Sequence, residues 1–98
     1  MNVPRTLSAL EWDVLWMLSK RGPLKGIAIR QELIDYYGEE VSHAEVYPSL
    51  DALADLELVR EVATDGRPRE YKLTEEGRRT LARRQIWQEG LSSSNNGP

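Results

Sequence analysis

Apolar positions fall at helical spacing in four stretches of this chain and alternate like a strand in one. The central stretch is Ser42–Val59. Ser42 is followed three residues later by Glu45, the pattern in which a serine side chain bonds the Glu45 N–H and the glutamate bonds back. Behind it, Val46, Leu50, Leu53 and Glu57 share one helical face, with Leu56 beside it. The spacing predicts a helix from His43 to about Leu56. Pro48 lies inside it, removes one N–H and is expected to bend it. Next comes LVREVA, then TDGRPR, then EYKLT with Tyr71 and Leu73 on one face. That is strand, Asp-Gly turn, strand: a hairpin.

Leu7–Lys20 reads as the first helix, with Ser8 and Glu11 repeating the capping pattern. Leu7, Leu10, Val14, Met17 and Leu18 form one apolar stripe. Trp12, Leu15 and Trp16 form another on roughly the opposite side. A helix apolar on two sides is buried on two sides: one faces the chain's own core, and the other needs a second partner, unless the small core wraps the tryptophans as well. Gly22-Pro23 ends this helix. Lys25–Tyr37 is the second, with Ile27, Arg30, Leu33, Ile34 and Tyr37 on its inner side and Gly38 as terminator. Thr74 caps a fourth helix running to about Glu89, carrying Leu81, Ile86 and Trp87. Gly90 is read as its end.

Three helices, a hairpin and a final helix make a mostly α chain with a small β hairpin, a winged helix-turn-helix of order α-α-α-β-β-α. The organisation reads as a flexible arm over 1–6, a winged helix domain over 7–73, a dimerisation helix over 74–90 and a disordered tail over 91–98. The expected self-contact is a homodimer. Trp12, Leu15 and Trp16 present one apolar side, and Leu81, Ile86 and Trp87 of a second subunit's last helix cover it. The tryptophans of two subunits would also frame a small-molecule effector.

At 98 residues this is one domain, too short to bury much apolar surface alone. It has no cysteine, so thiolate metal sites and cysteine nucleophiles are excluded. No apolar run approaches the ~20 residues of a membrane span, and no signal segment opens it, so the expected compartment is cytoplasmic. No nucleophile–base pair, phosphate loop or carboxylate motif converges, so no enzyme activity and no cofactor are expected. His43 is the sole histidine, and no metal site is expected.

The net charge of −3 does not advertise nucleic-acid binding. Residues 42–72 carry four basic side chains against seven acidic ones. The bases nevertheless cluster on the hairpin, as Arg60, Arg67, Arg69 and Lys72, while most of the acids lie on the helix. Arg67, Arg69 and Lys72 suit phosphate contact, or are ordinary surface charges on a solvated turn. Ser42, His43, Tyr47 and Ser49 are the third helix's candidate contacts to duplex DNA. That helix holds no Arg, Lys, Asn or Gln, the bidentate readers of guanine and adenine. Shape and phosphate positioning therefore carry more of the expected recognition. Tyr47 has a second reading, packing against the second helix. The rival function is a protein-interaction module docking through the acidic helix.

The chain resembles the PadR-like transcriptional regulators. The matching residues are Leu24-Lys25-Gly26, Val46-Tyr47-Pro48-Ser49-Leu50 with Leu53, Leu58-Val59, and Arg69-Glu70-Tyr71-Lys72-Leu73-Thr74-Glu75-Glu76-Gly77. The resemblance implies a homodimeric DNA-binding repressor or sensor. Its third helix would enter the major groove, its wing would touch backbone, and its last helix would join the partner's first. With one helix after the wing, the chain is similar to the short, single-domain branch. Glu57 departs from the pattern, standing where the family usually has glycine. The turn there is made another way, or Glu57 takes a left-handed conformation at some cost.

Overall fold

The computed structural model describes residues 7–64 and 66–95. The side chains at 64, 67, 68 and 93–95 are outside what it describes. The arm expected over 1–6, Asp65 of the turn and the last three residues of the tail therefore lie outside the described residues. The elements are α1 (Ala9–Arg21), β1 (Leu24–Lys25), α2 (Gly26–Tyr37), α3 (His43–Asp55), β2 (Val59–Thr64), β3 (Arg67–Leu73) and α4 (Glu75–Asn95). The sheet order is β1-β3-β2, antiparallel throughout. β1 is too short to leave a period in the sequence. It pairs Leu24 with Tyr71 and Lys25 with Glu70, and so ties the start of α2 to the wing.

Both capping boxes form. The Glu11 N–H donates to Ser8 Oγ at 3.1 Å and the Ser8 N–H to Glu11 Oε1 at 2.9 Å. The Glu45 N–H donates to Ser42 Oγ at 3.2 Å and the Ser42 N–H to Glu45 Oε2 at 3.0 Å. Each box satisfies two donors that an unfinished helix end leaves open. α3 runs through Pro48 as one helix, and its inner face is the expected one, with Val46, Leu50 and Leu53 fully buried. In α2 the buried residues are Ile29 and Leu33, while Ile27, expected on the inner side, is 62% exposed. Ile27 and Ile29 are two residues apart, about 200° around the helix, so they cannot share a face.

The turn after α3 resolves the Glu57 question. Glu57 has φ +61, the left-handed region. Its N–H donates to Ala54 O at 2.9 Å, and the Leu58 N–H donates to Leu53 O at 3.0 Å. This is a Schellman ending, with buried Leu58 against buried Leu53 and a glutamate where glycine is usual. Thr74 holds the turn from outside: its hydroxyl donates to Glu57 O at 2.6 Å and its N–H to Leu58 O at 3.1 Å.

Two expectations are corrected. α4 continues through Gly90 to Asn95, so residues 91–95 are helical. Gly90 is absent from the positive-φ glycines, whereas Gly22 (φ 80) and Gly38 (φ 72) do end helices. A glycine stops a helix only when its backbone turns left-handed; inside one it merely weakens it. Second, α1 is covered by its own chain. It touches α2, α3, β3 and α4. Trp12 is 8% exposed, Leu15 0% and Leu81 4%, so these three expected interface residues belong to the core of one chain. Arg84 of α4 sets its guanidinium 4.2 Å above the Trp12 ring, closing that side with a cation–π contact. Periodicity shows that a face is apolar but not whose residues cover it.

Candidate nucleic-acid interface

Only one face of α3 is buried, and this leaves Ser42, His43, Ala44, Pro48 and Asp51 exposed at and beyond its N-terminus. The His43 and Tyr47 rings, one turn apart, stack with centroids 5.6 Å apart and planes 6° apart. Tyr47 is half-buried, and its ring lies over Gly26 at the start of α2. A Cβ at Gly26 would stand 2.7 Å from Tyr47 Cε1 and 3.0 Å from its hydroxyl. Tyr47 therefore packs on the second helix, as its second reading had it, and Gly26 is what makes the close approach possible.

The serines of this helix are engaged locally. Ser42 Oγ serves the cap, and Ser49 Oγ donates to Glu45 O at 2.8 Å. Ser49 is only partly exposed. Its back-bond meets a carbonyl one turn earlier, a habit of serines inside helices. Of the candidate contacts at this end of α3, Ser42 and His43 are exposed.

On the wing, Arg69 is largely exposed, yet its Nη1 donates to Glu61 Oε2 at 2.6 Å. The Tyr71 hydroxyl donates to Glu61 Oε1 at 3.3 Å. Glu61 thus takes one donor on each carboxylate oxygen. Burial first, and then the Glu61 charge, push the Tyr71 phenol up to about 12. The Arg69 guanidinium is pushed up by its hydrogen bond and charge pairing with Glu61. Arg67 begins β3, its backbone paired with Thr64, and its side chain lies outside those described. Lys72 is exposed opposite Arg60, at the base of the wing and not near its tip.

A bulge sets this arrangement. Thr64 pairs with Arg67 but Val62 pairs with Glu70, so β3 carries one extra residue across from Ala63. Pro68 lies in that extra stretch, where a missing N–H is tolerated. Counting back from the Asp-Gly turn without a bulge would set Arg60 against Tyr71. The bulge instead sets Glu61 against Tyr71 and Arg60 against Lys72. Sequence reasoning missed Glu61 and the pairing of Arg60 with Lys72 for this reason. The one available signal was Pro68 beside the turn.

The loop into α3 is clamped from α2. Arg30 Nε donates to Val41 O at 2.7 Å, and its Nη2 bonds Glu40. The Tyr37 hydroxyl donates to Asp13 Oδ2 at 2.6 Å, joining α2 to α1. Burial and this carboxylate raise its pKa. These contacts fix the entry angle of α3, and with it where His43 and Tyr47 are presented.

The profile of the transcriptional regulator PadR-like family matches residues 14–83. The chain belongs to the PadR-like family. H. salinarum RosR, in crystals grown from NaBr, is 37% identical, with a TM-score of 0.82 over 96% of this chain and 83% of that one. The hsRosR-S1 complex is 38% identical, with a TM-score of 0.83 over 89% and 77% of the two chains. A PadR-like transcription factor from bacteroid fragilis is 25% identical, with a TM-score of 0.70 over 89% and 86%. No curated protein matches the sequence. The winged helix fold expected from the pattern and the PadR-like family that the sequence resembles are therefore the observed ones. Among the described residues, no helix is long and apolar enough to cross a membrane.

Large apolar side chains left exposed lie further along α4. Ile86 is 70% exposed, Trp87 61% and Leu91 45%, while Trp16 of α1 is half-buried. An open groove of about 490 Å³ beside Trp16 runs between α1 and α2, bordered by Met17, Leu33 and Tyr36.

Proposed function

We propose that this PadR-like chain is a sequence-specific DNA-binding regulator that works as a homodimer and represses by occupying its operator. The observation that carries the reading is the joint presentation of the α3 N-terminus and the wing. His43 and Tyr47 lie at the leading end of a helix buried on one face only, and the hairpin, with four basic and three acidic side chains, contacts that helix through β2. In this reading α3 enters the major groove and positions more than it reads, because it offers no bidentate side chain. Arg67 and Arg69 contact phosphate or the minor groove from the wing. Occupancy alone suffices for repression.

The dimer reading rests on Ile86, Trp87 and Leu91. Burying each large apolar side chain is worth about 1.5–3 kcal/mol, and an isolated helix end leaves them in water. A two-fold arrangement pairing these residues with the Trp16 side of a second subunit would repeat α3 about 34 Å away, one turn of DNA.

Fluorescence anisotropy on a labelled duplex from the protein's own promoter region, read across salt, tests the DNA reading. Arg67→Ala with Arg69→Ala should weaken binding and flatten the salt dependence by roughly one slope unit per lost phosphate contact. Equal affinity at every salt concentration would refute the wing assignment. Failure of the wild type to prefer any duplex would favour the protein-interaction module. Sedimentation tests the dimer: a folded wild-type monomer at micromolar concentration would refute it.

A further inference from the structure

Arg60 of β2 and Lys72 of β3 are direct cross-strand partners, both exposed. Like charges in that position, with Cβ atoms about 5 Å apart, destabilise a sheet unless something offsets them. Glu70, two residues from Lys72 on the same face, is the diagonal neighbour of Arg60 and lies opposite Lys25 of β1. Arg78, exposed in the first turns of α4, lines the same hollow of about 250 Å³, together with Leu73, Thr74 and Glu75. The one acid there, Glu75, is paired with Arg79 on the other side at 3.7 Å. Arg21, Arg30, Arg69 and Arg79 have carboxylate partners; Arg60, Lys72 and Arg78, like Lys20, Lys25, Arg83 and Arg84, show none among the described residues. What sets Arg60, Lys72 and Arg78 apart is that they line one hollow together, two of them as cross-strand neighbours of like charge.

We infer that Arg60, Lys72 and Arg78 form a phosphate-binding site at the base of the wing, separate from the wing tip and from α3. The chemistry suits a phosphate oxyanion: two guanidinium groups offer planar paired donors and the ammonium a point charge. The hollow holds roughly eight waters at ~30 Å³ each, room for one phosphate group and its hydration. Two sources could present such a phosphate: duplex backbone flanking the contacts of the wing tip, or a free phosphorylated small molecule. Only the first source rests on the DNA-binding reading.

The test uses the full chain and its Arg60→Gln/Arg78→Gln variant, which changes two exposed side chains outside the proposed reading face. In the first arm, inorganic phosphate is titrated against chloride at matched ionic strength, with backbone amide resonances as the readout. Saturable shifts confined to residues around 60, 72 and 78, weakened at least tenfold in the variant, are expected. In the second arm, duplex binding is measured across salt. A slope reduced by about two units in the variant assigns the phosphate to DNA backbone. An unchanged slope with phosphate binding still lost assigns it to a small molecule. If the wild type binds no duplex, the DNA reading fails while the phosphate arm still decides the site. Shifts that never saturate and spread over all surface cations, with an unchanged DNA slope, overturn the inference.

Discussion

Two glycines of α4 should respond in opposite ways to the same substitution. Gly77 sits where the helix leaves the wing. A Cβ there would stand 2.3 Å from the Leu58 carbonyl oxygen and 2.6 Å from Leu73 Cδ1. Ordinary contact begins at 3.4 Å, so the helix start or the turn after α3 must move by about an ångström. The turn cannot move freely, because Leu58 O already accepts from the Thr74 N–H at 3.1 Å and the Gly77 N–H donates to Thr74 Oγ1 at 3.0 Å. Overpacking costs ~1–3 kcal/mol and each strained hydrogen bond ~1, against a propensity gain of ~1 for alanine in a helix. The net for Gly77→Ala is a loss of roughly 2–3 kcal/mol, or ~10–20 °C in a domain of this size. At Gly90, by contrast, a Cβ meets nothing within 4 Å. Gly90→Ala should leave the melting temperature level or slightly raised, with more helix in the far-ultraviolet spectrum. Thermal melts followed by circular dichroism decide it. A Gly77→Ala protein melting within about two degrees of wild type would refute the close approach, since even ~0.5 kcal/mol would show. Equal losses in both variants would show that the cause is not local packing at the wing junction.

Glu57→Gly should stabilise the chain by about 0.5–1 kcal/mol, since left-handed backbone costs a non-glycine residue ~1–2 kcal/mol and glycine returns ~0.5–1 of that through a more mobile unfolded state. Glu57→Ala keeps the Cβ and should show no such gain in a urea melt; a gain equal to glycine's would move the cause to the charge. Glu61→Gln should tighten duplex binding several-fold and steepen its salt dependence by up to about one unit, because Arg69 is no longer shared with a carboxylate; weaker binding would mean that Glu61 holds Arg69 in its binding pose. Tyr47→Phe keeps the ring over Gly26 and removes only the hydroxyl, so affinity should fall roughly three- to tenfold at unchanged thermal stability if the hydroxyl touches DNA; unchanged affinity would leave Tyr47 a packing residue.

The elements were legible where a local signal had one physical meaning. Ser-x-x-Glu before an apolar run means two reciprocal hydrogen bonds, and both boxes form. Val46, Leu50 and Leu53 at helical spacing are all fully buried. The departure at Glu57 was legible only against the family pattern, which left open whether the turn was left-handed or made another way. Three features could not be read, for separate reasons. β1 spans two residues, shorter than any period. The wing bulge is one residue of register, decided by how Pro68 and its neighbours pair and not by composition. Gly90 looks like Gly38 in sequence, yet only Gly38 turns left-handed. The site suffered most from the second. Glu61 against Tyr71, and Arg60 against Lys72, both depend on that single residue.

The same residue of register organises charge on the wing. Without the bulge, Glu61 would face Glu70, and the two acids would repel across the strands. With it, Glu61 meets Tyr71 and takes Arg69, which gathers one carboxylate, one phenol and one guanidinium on the core side of the hairpin. Arg60 and Lys72 are left facing each other on the outer side with no acid between them. The hairpin is therefore divided into a side where positive charge is locally neutralised and a base where it is not. Net charge, at −3, conceals this division completely. A phosphate approaching the tip must compete with Glu61 for Arg69. One approaching the base meets Arg60 and Lys72 side by side, with Glu70 as the diagonal acid on that face, opposite Lys25 of β1. Recognition by such a wing is set less by how many cations it carries than by which of them already have a partner.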